Sequence, residues 1–298
     1  MRGTIGLFLR SRDNDYQQGL REVAVRVAKR AGLGLVIESA QNDARKQVVQ
    51  IGSAIEAAGP NKMLALLVSC VRDDVLVPLA EKAAAAGIEW VLLNVEANYL
   101  EELRRHFSER AIFSVTPDQV QIGRLQGAQI QALIPDGGRV MCVTGPMSTA
   151  TAQRRLEGLT EVLGDDYPLT VLQADWTSER ARLAVEKWLA EHPELADMPA
   201  AVVAQNDEMA LGIRQALREA DVTRGQPLAA IPITGVDGSQ TFGQRLVREG
   251  RIKATVVTPP ASGPAVEWIV RSRSRGVIPP AHVSQPVASF PPLSTLER

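Results

Sequence analysis

Residues 204–212 read AQNDEMALG, and this stretch places polar side chains at the point where a strand meets a helix. An apolar run at 200–204 predicts the strand, and the apolar spacing from 209 to 220 predicts the helix. In an open α/β sheet, ligands bind in the crevice outside the carboxyl ends of the strands. A helix N-terminus adds unpaired N–H groups and a positive dipole end. Capping by Asn206 or Asp207 explains one of these residues, but it does not explain the whole polar run.

The same alternation of strand and helix runs along the chain. Predicted strands cover 4–9, 33–38, 63–68, 89–93, 111–115, 139–143, 169–174, 200–204, 230–235 and 252–257. Most of them are continuous apolar runs separated by amphipathic helices, which is typical of a parallel sheet covered by helices on both faces. Ten strands are many for one twisted sheet. We therefore predict an α/β protein with two doubly wound parallel-sheet lobes that meet near Thr116.

The end of the chain departs from this alternation. One helix, predicted at 265–273, follows Pro259 and Pro260, and the Pro-rich tail 277–298 is predicted to be irregular. The lone helix is expected to cross back onto the first half. The predicted N-terminal lobe is therefore 1–116 plus 259–280, and the C-terminal lobe is 117–258 plus 281–298. A hinged cleft between two such lobes is a common place for a ligand.

Composition narrows the class of protein. The 298 residues are 45% hydrophobic and 22% charged with a formal net charge of −1, which is ordinary for a globular protein and disfavours nucleic acid as a partner. No stretch approaches the ~18 apolar residues of a membrane span. Cys70 and Cys142 lie in or beside apolar runs and are predicted to be buried free thiols. No metal site or cofactor is predicted, and the glycine-rich and nucleophile-elbow motifs of enzymes are absent.

The predicted strand ends carry amides, hydroxyls, carboxylates and one indole, that of Trp176. Amide and hydroxyl groups both donate and accept hydrogen bonds, so they suit a hydroxyl-rich ligand. An indole face can stack on the C–H side of a sugar ring. For each polar residue taken singly, helix capping or turn formation is the alternative.

Several motifs together resemble the ribose-binding-protein-like sugar-binding proteins, whose type I periplasmic-binding fold is shared with the ligand-binding core of lac-repressor-type regulators. The motifs are TIGL at 4–7, Gln41-Asn42, RRLEG at 154–158, AQNDEMALG at 204–212 and GVDG at 235–238. The resemblance covers nearly the whole chain. It implies two α/β lobes, three crossovers, and a sugar clamped between the lobes by hinge closure.

The resemblance also implies which residues contact the sugar. Asn14 falls where the family often has a sugar-binding asparagine, and Tyr16 where an aromatic ring-stacker is usual. The candidate ligand-binding residues are Asn14, Tyr16, Asn94, Gln153, Arg154, Trp176, Asn206, Asp237 and Thr258, with Ser11 and Arg12 as further candidates.

Some positions depart from the family pattern. The Asp-Arg pair of the family reads Asn94-Val95 here, its ligand-binding arginine aligns with Gln153 beside Arg154, and a glutamine aligns with Thr258. Ribose itself is therefore not expected. Arg10 and Arg12 leave an acidic sugar or a sugar phosphate as an alternative ligand, because arginine suits carboxylate and phosphate groups.

The resemblance implies a binding protein and not an enzyme. We expect the chain to bind a sugar or sugar-like molecule, specifically a monosaccharide. As a monomer, it is expected to deliver this ligand to the membrane permease of an ATP-driven importer. The location is expected to be periplasmic if a signal peptide was removed and cytoplasmic if Met1 is the native start. The alternative is a cytosolic ligand-sensing module, a repressor-like core without DNA-binding helices.

Overall fold

The computed structural model describes residues 3–12, 14–58, 63–225 and 227–296. The chain divides into two compact units. The first unit contains Met1–Pro117 and Pro260–Gln285, and the second contains Asp118–Pro259 and Pro286–Arg298. The backbone therefore passes from one unit to the other at three places.

The chain begins with a regular alternation of strands and helices in the first unit. Its elements are β1 (Thr4–Leu9), α1 (Asp15–Arg30), β2 (Gly34–Ser39), α2 (Ala44–Glu56), β3 (Met63–Val68), α3 (Val77–Ala85), β4 (Glu89–Leu93), α4 (Tyr99–His106) and β5 (Ile112–Pro117).

The second unit continues the alternation. Its elements are α5 (Gln119–Leu133), β6 (Val140–Thr144), α6 (Ala150–Leu163), β7 (Leu169–Gln173), α7 (Ser178–Glu191), β8 (Ala201–Ala204), α8 (Asp207–Arg224), β9 (Ile233–Asp237), α9 (Gly243–Arg248) and β10 (Ala254–Val257). The chain then returns to the first unit with α10 (Ser262–Arg275) and β11 (His282–Gln285), and it ends in the second unit with β12 (Ala288–Phe290).

Each unit contains one six-stranded sheet. The first sheet has the order β11-β5-β4-β3-β1-β2 and is parallel throughout. The second has the order β12-β10-β9-β8-β6-β7, and only its edge strand β12 is antiparallel. Because parallel strands share one direction, the loops that follow them gather at the carboxyl end of each sheet.

The core of each unit lies on both faces of its sheet. In β1, Leu7 and Leu9 pack into one apolar cluster and Phe8 packs into the cluster on the opposite face. Such continuous apolar strands are what a sheet covered on both sides requires. On α1, Leu20, Ala24 and Val27 recur at helical spacing and pack on the sheet.

Side-chain caps place helix N-termini at the carboxyl ends of the sheets. Asn14, Asp43, Thr149, Thr177 and Asn206 each follow a strand and accept a hydrogen bond from a backbone N–H in the first turn of the next helix. These bonds satisfy donors that the helix itself leaves unpaired.

The predicted fold class is confirmed: both units are α/β layers built on a parallel or nearly parallel sheet with helices on both faces. Helix α10 is longer than the predicted 265–273, and the described part of the tail is not irregular, since it contains β11 and β12. The sequence analysis predicts that the tail belongs to the C-terminal lobe from residue 281 onward. Because β11 pairs with β5, residues 281–285 instead belong to the first unit. Residues 297–298 of the predicted irregular tail lie outside the described residues.

Cys142 is buried and Cys70 is partly buried, and both are free thiols. Burial raises the pKa of each thiol to about 12. In the described part of the chain, no helix has the length and apolar character needed to cross a lipid bilayer.

Candidate ligand-binding site

The predicted residues of the second unit all lie at the carboxyl end of its sheet. From β10 to β7 in sheet order, Thr258 follows β10, Asp237 ends β9, Asn206 follows β8, Gln153 and Arg154 lie on the helix after β6, and Trp176 follows β7. The fold thus brings together, at one end of the sheet, side chains that are 105 positions apart in the sequence, the difference between 258 and 153.

Gln205, Asn206 and Asp207, here called the QND segment, are buried at this end of the sheet. Gln205 connects two parts of the β6–α6 region. Its Oε1 accepts a hydrogen bond from the Gly145 N–H at 3.0 Å, and its Nε2 donates to the Ala152 carbonyl at 2.9 Å. The loop after β6 and the start of α6 are therefore held to the end of β8.

Asn206 caps α8 and also holds the loop after β7. Its Oδ1 accepts from the Met209 N–H at 2.7 Å, and its Nδ2 donates to the Trp176 carbonyl at 3.1 Å. Both hydrogen bonds go to backbone groups. They give Asn206 a role in positioning Trp176, in addition to the ligand contact predicted for it.

Asp207 connects the two strands on the other side of β8. One carboxylate oxygen accepts from the Gly238 N–H at 2.7 Å, and the other accepts from the Thr255 hydroxyl at 2.7 Å. The carboxylate lies against glycine backbone, because a Cβ atom on Gly235 or Gly243 would come within 2.1 or 1.9 Å of its oxygens. The QND segment therefore ties the loops or strands on both sides of β8.

Arg155 is a buried cation at the same end of the sheet, and the sequence prediction missed it. It is only 4% exposed. Its Nε donates to Gln119 Oε1 at 2.8 Å, an Nη donates to the Gln205 carbonyl, and Cζ lies 5.8 Å from the centre of the Trp176 ring. Helical spacing could have identified it, because Ala152, Arg155 and Leu159 share the buried face of α6.

Gln153 and Arg154 lie on the other side of α6 and are exposed. Gln153 Nε2 donates to the Met147 carbonyl in the preceding loop at 2.7 Å. Of the three consecutive polar residues, only Arg155 is turned toward the core.

The Trp176 ring packs against the backbone of Gly145. A Cβ atom on that glycine would lie 2.3–2.5 Å from three adjacent ring atoms, so the glycine permits the ring to lie face-on against the chain. The buried indole Nε1 has no hydrogen-bond partner among the described residues. Thr258 donates its N–H to the Asp237 carbonyl at 3.0 Å, which joins the ends of β9 and β10.

In the first unit, the predicted residues lie around the β1–α1 connection and after β4. Asn14 accepts from the Gln17 N–H at 2.9 Å, so its side-chain oxygen caps α1. Tyr16 and Ser11 are buried, with exposures of 7% and 3%, whereas Arg12 is exposed. Arg10 Nε donates to Asn42 Oδ1 at 3.2 Å.

Two glutamines not predicted as site residues organise the loop after β3. Gln17 Nε2 donates to the Ser69 hydroxyl at 3.0 Å. Gln47 Nε2 donates to the Ser69 carbonyl at 3.0 Å, and its Oε1 accepts from the Val71 N–H at 2.8 Å. Both glutamines are buried, and they do for this loop what Gln205 does in the second unit.

Backbone strain also marks the carboxyl ends of the sheets. Among the described residues, the non-glycine positions with positive φ are Gln41 (56°), Asn42 (62°), Asn94 (61°) and Asp237 (103°). Each lies at or just after the end of a strand. Such backbone conformations are uncommon outside glycine and cluster at ligand-binding positions. Asn94 and Asp237, both predicted from the sequence as ligand contacts, are among these four positions.

A family model described as "Periplasmic binding protein domain" matches residues 5–265. The chain is 31% identical over 242 residues to a putative rhizopine-binding protein of Rhizobium meliloti, covering 79% of this chain and 73% of that one. It is 27% identical over 266 residues to a D-apiose import binding protein of Actinobacillus succinogenes, covering 86% and 77%.

A solved structure has the same fold. It is an ABC transporter periplasmic solute binding protein from Actinobacillus succinogenes with bound D-allose, similar at a TM-score of 0.82 and 20% identity over 96% of each chain. The family match spans most of the chain and agrees with the two α/β units described above. The chain belongs to the periplasmic binding protein domain family.

Proposed function

We propose that this protein binds a neutral sugar or sugar-like polyol and delivers it to an ATP-driven importer outside the cytoplasmic membrane. The observation that carries the proposal is the QND segment, which fixes the loops around Trp176 and Asp237 at the carboxyl end of the second sheet. The ligand class is supported by one relative that is named for importing D-apiose and by a solved structure that contains bound D-allose.

Preorganised loops favour small polar ligands for an energetic reason. A sugar offers many hydroxyl groups, and each useful hydrogen bond must exceed the cost of ordering the groups that form it. Here the ordering of the loops is supplied by hydrogen bonds within the protein, such as Gln205 to Gly145 and Gln47 to Val71. The folded loops can then engage hydroxyl groups without a further large loss of entropy.

The proposed contacts retain the residues predicted from the sequence. In the first unit they are Asn14, Tyr16 and Asn94, with Ser11 and Arg12 at lower rank; in the second they are Gln153, Arg154, Trp176, Asn206, Asp237 and Thr258. A neutral ligand is favoured over an acidic one because Arg10 already bonds to Asn42 and Arg12 is exposed to solvent.

A thermal-shift screen tests the ligand class. The panel contains D-apiose, D-allose, D-ribose, xylitol, myo-inositol, D-glucuronate and D-ribose 5-phosphate. A ligand that binds only the native state stabilises it by about 2.7 kcal/mol at a hundredfold excess over Kd. We expect a clear rise of the midpoint with at least one neutral compound. A midpoint shift with only D-glucuronate or D-ribose 5-phosphate would indicate an acidic ligand and contradict the neutral one. No shift with any compound would contradict sugar binding.

A pair of glycine substitutions tests the site. Asn94→Gly removes a side chain while keeping a positive φ that glycine adopts freely, and we expect it to weaken binding of the responding compound by about tenfold or more. Gln41→Gly is the matched control, since Gln41 also has positive φ at the same end of the first sheet but bonds to Lys46 on the exposed surface. Equal affinity losses would argue against Asn94 as a contact.

The transport role predicts a monomer that leaves its sugar chemically unchanged. Light scattering coupled to size exclusion, with and without the responding compound, measures the first property, and recovery of the compound after incubation measures the second. A constitutive dimer would favour the sensing module, and turnover would reveal an enzyme.

A further inference from the structure

We propose that Arg155 is a positioning residue of the ligand site: its buried guanidinium fixes the orientation of the Trp176 ring. The ligand part of this inference rests on the proposed function, whereas the contact between Arg155 and Trp176 belongs to the protein alone. Neither Gln153 nor Arg154, the neighbours predicted as contacts, is placed to do this, because both are exposed on the other side of α6.

The guanidinium is held from two directions. Gln119 Oε1 accepts from Nε at 2.8 Å, and the Gln205 carbonyl accepts from an Nη. Gln119 is the first residue of α5, just after the backbone enters the second unit at Asp118, and Gln205 is the first residue after β8. A planar guanidinium bonded at separate nitrogen atoms cannot rotate freely, so its position is defined by the fold.

Trp176 has three contacts, two with its ring and one with its backbone. Gly145 lies against the ring, Asn206 bonds to the Trp176 carbonyl, and Arg155 lies over the ring at 5.8 Å from its centre. Gln205 joins two of these contacts, because it accepts from the Gly145 N–H and its carbonyl accepts from Arg155. The arginine, the glycine loop and the ring thus form one connected unit.

A cation over an aromatic face is attracted by the negative potential of the ring, and the attraction grows when water is excluded. Arg155 is almost fully buried, so this attraction favours one ring orientation over its alternatives. A ring held in one orientation offers a sugar a fixed surface and loses less entropy when the sugar binds.

Near-ultraviolet circular dichroism tests the positioning without any ligand. The signal of Trp176 is the difference between the wild type and Trp176→Leu, and the same difference is taken in the Arg155→Met background. We expect Arg155→Met to reduce the Trp176 signal by about half or more, since the ring loses its charged neighbour. Arg155→Lys, which restores a cation, should recover part of the signal.

Arg124→Met is the matched control. Arg124 also joins α5 to α6, through Glu161 at 2.7 Å, but on the exposed surface. We expect it to leave the Trp176 signal unchanged. If Arg155→Met does not fold, Gln119→Leu makes the same test, because it removes the acceptor of the Arg155 Nε–H and leaves the arginine in place. An unchanged Trp176 signal in the folded variant overturns the proposal.

A double-mutant cycle then tests whether Arg155 acts on the ligand through Trp176. With the compound that responds most strongly in the thermal-shift panel, Arg155→Met and Trp176→Leu should each weaken binding by about tenfold, and the double variant by little more than either alone. Losses that multiply in the double variant would overturn the proposed route. If no panel compound binds while the Trp176 signal still depends on Arg155, the proposed function fails and the positioning role stands.

Discussion

The carboxyl end of the first sheet is tied together by neutral amides, whereas the carboxyl end of the second contains a buried carboxylate and a buried guanidinium. Gln17 and Gln47 converge on Ser69 in the first unit. In the second, Asp207 and Arg155 add charge to the amides of the QND segment. Since buried charge is tolerated only with well-placed partners, the second set of loops depends more strongly on single residues.

The two ends also differ in how their residues are distributed along the chain. Gln17 lies in α1, Gln47 in α2 and Ser69 in the loop after β3. The QND segment, by contrast, is three consecutive residues that reach both sides of β8. Because these three residues are consecutive, the sequence alone can identify them as a group. For the same reason, substitution of one of them is expected to destabilise several loops of the second unit.

The largest effect is expected for the buried carboxylate. Asp207→Ala leaves the Gly238 N–H and the Thr255 hydroxyl without their acceptor, so the free energy of unfolding of the second unit should fall by about 3–5 kcal/mol. Denaturant titration followed by the fluorescence of Trp176 and Trp188 measures it. Asp43→Ala in the first unit removes an exposed helix cap and should cost about 1 kcal/mol. Equal losses would remove the contrast between the units.

The neutral organisers should behave alike. Gln205→Leu and Gln47→Leu each remove an acceptor and a donor that serve buried backbone groups, and each should lower the free energy of unfolding by about 2–3 kcal/mol. The same titration, with Trp90 and Trp268 reporting the first unit, measures both. A much larger loss for Gln205 would mean that sequence clustering, and not charge, sets the difference.

The glycines around Asp207 are packed more tightly than a glycine in a helix of the first unit. A Cβ at Gly243 would lie 1.9 Å from an Asp207 oxygen, so Gly243→Ala should destabilise the second unit by about 1–3 kcal/mol through overpacking. In the first unit, Gly52 lies within α2 and its added Cβ would meet only Leu79 at 3.7 Å. Gly52→Ala should therefore raise the free energy of unfolding by about 0.5–1 kcal/mol. A slightly higher thermal midpoint would report this change. A destabilising Gly52→Ala would contradict the open packing of that helix.

The smallest effect concerns a carboxylate at the opposite end of the first sheet. Glu89 is buried, and burial raises its pKa above the ordinary 4.5 although Arg273 and the Ala111 N–H lower it. Between pH 4.5 and the raised pKa, the folded protein holds a proton that the unfolded chain has released. The contribution of Glu89 protonation to the free energy of unfolding is therefore fully present below pH 4.5. It is lost as the pH rises through the raised pKa of Glu89.

Glu89→Gln removes this titration. The difference in unfolding free energy, wild type minus variant, should fall as the pH rises from the ordinary pKa through the raised one. Urea titrations at several pH values measure it. Glu56→Gln is an opposite control, because Lys82 lowers the pKa of Glu56 and its contribution is lost as the pH falls. A pH-independent difference for Glu89 would show that its protonation is the same in both states.

Much of the fold could be predicted because its pattern is local. The strands at 4–9, 63–68 and 89–93 were predicted with the bounds that the structure has, since continuous apolar runs identify buried parallel strands directly. The strands β11 and β12 could not be found in this way. They are short, partly exposed edge strands, and their conformation depends on pairing with β5 and β10 and not on their own sequence.

The candidate site likewise contains features that the local sequence predicts and features that depend on tertiary contacts. That polar side chains gather at the strand ends follows from the parallel topology. Which of Gln153, Arg154 and Arg155 turns inward depends on the phase of α6. The spacing of Ala152 and Leu159 on the buried face indicates that phase, whereas alignment to a family motif does not. The hydrogen bond from Gln17 to Ser69 joins residues 52 positions apart, and no local pattern predicts such a contact.

The late return of the chain to the first unit has a consequence for folding during synthesis. Both sheets receive an edge strand from residues 282–290, after every other strand has left the ribosome. Until then β5 and β10 each present an open edge, and open edges can pair with other chains. The first unit also waits for α10, so it cannot be completed before the second unit is made. A nascent chain of this protein therefore departs from the usual order in which an N-terminal domain folds first, and its period of greatest exposure to association ends only with this short segment.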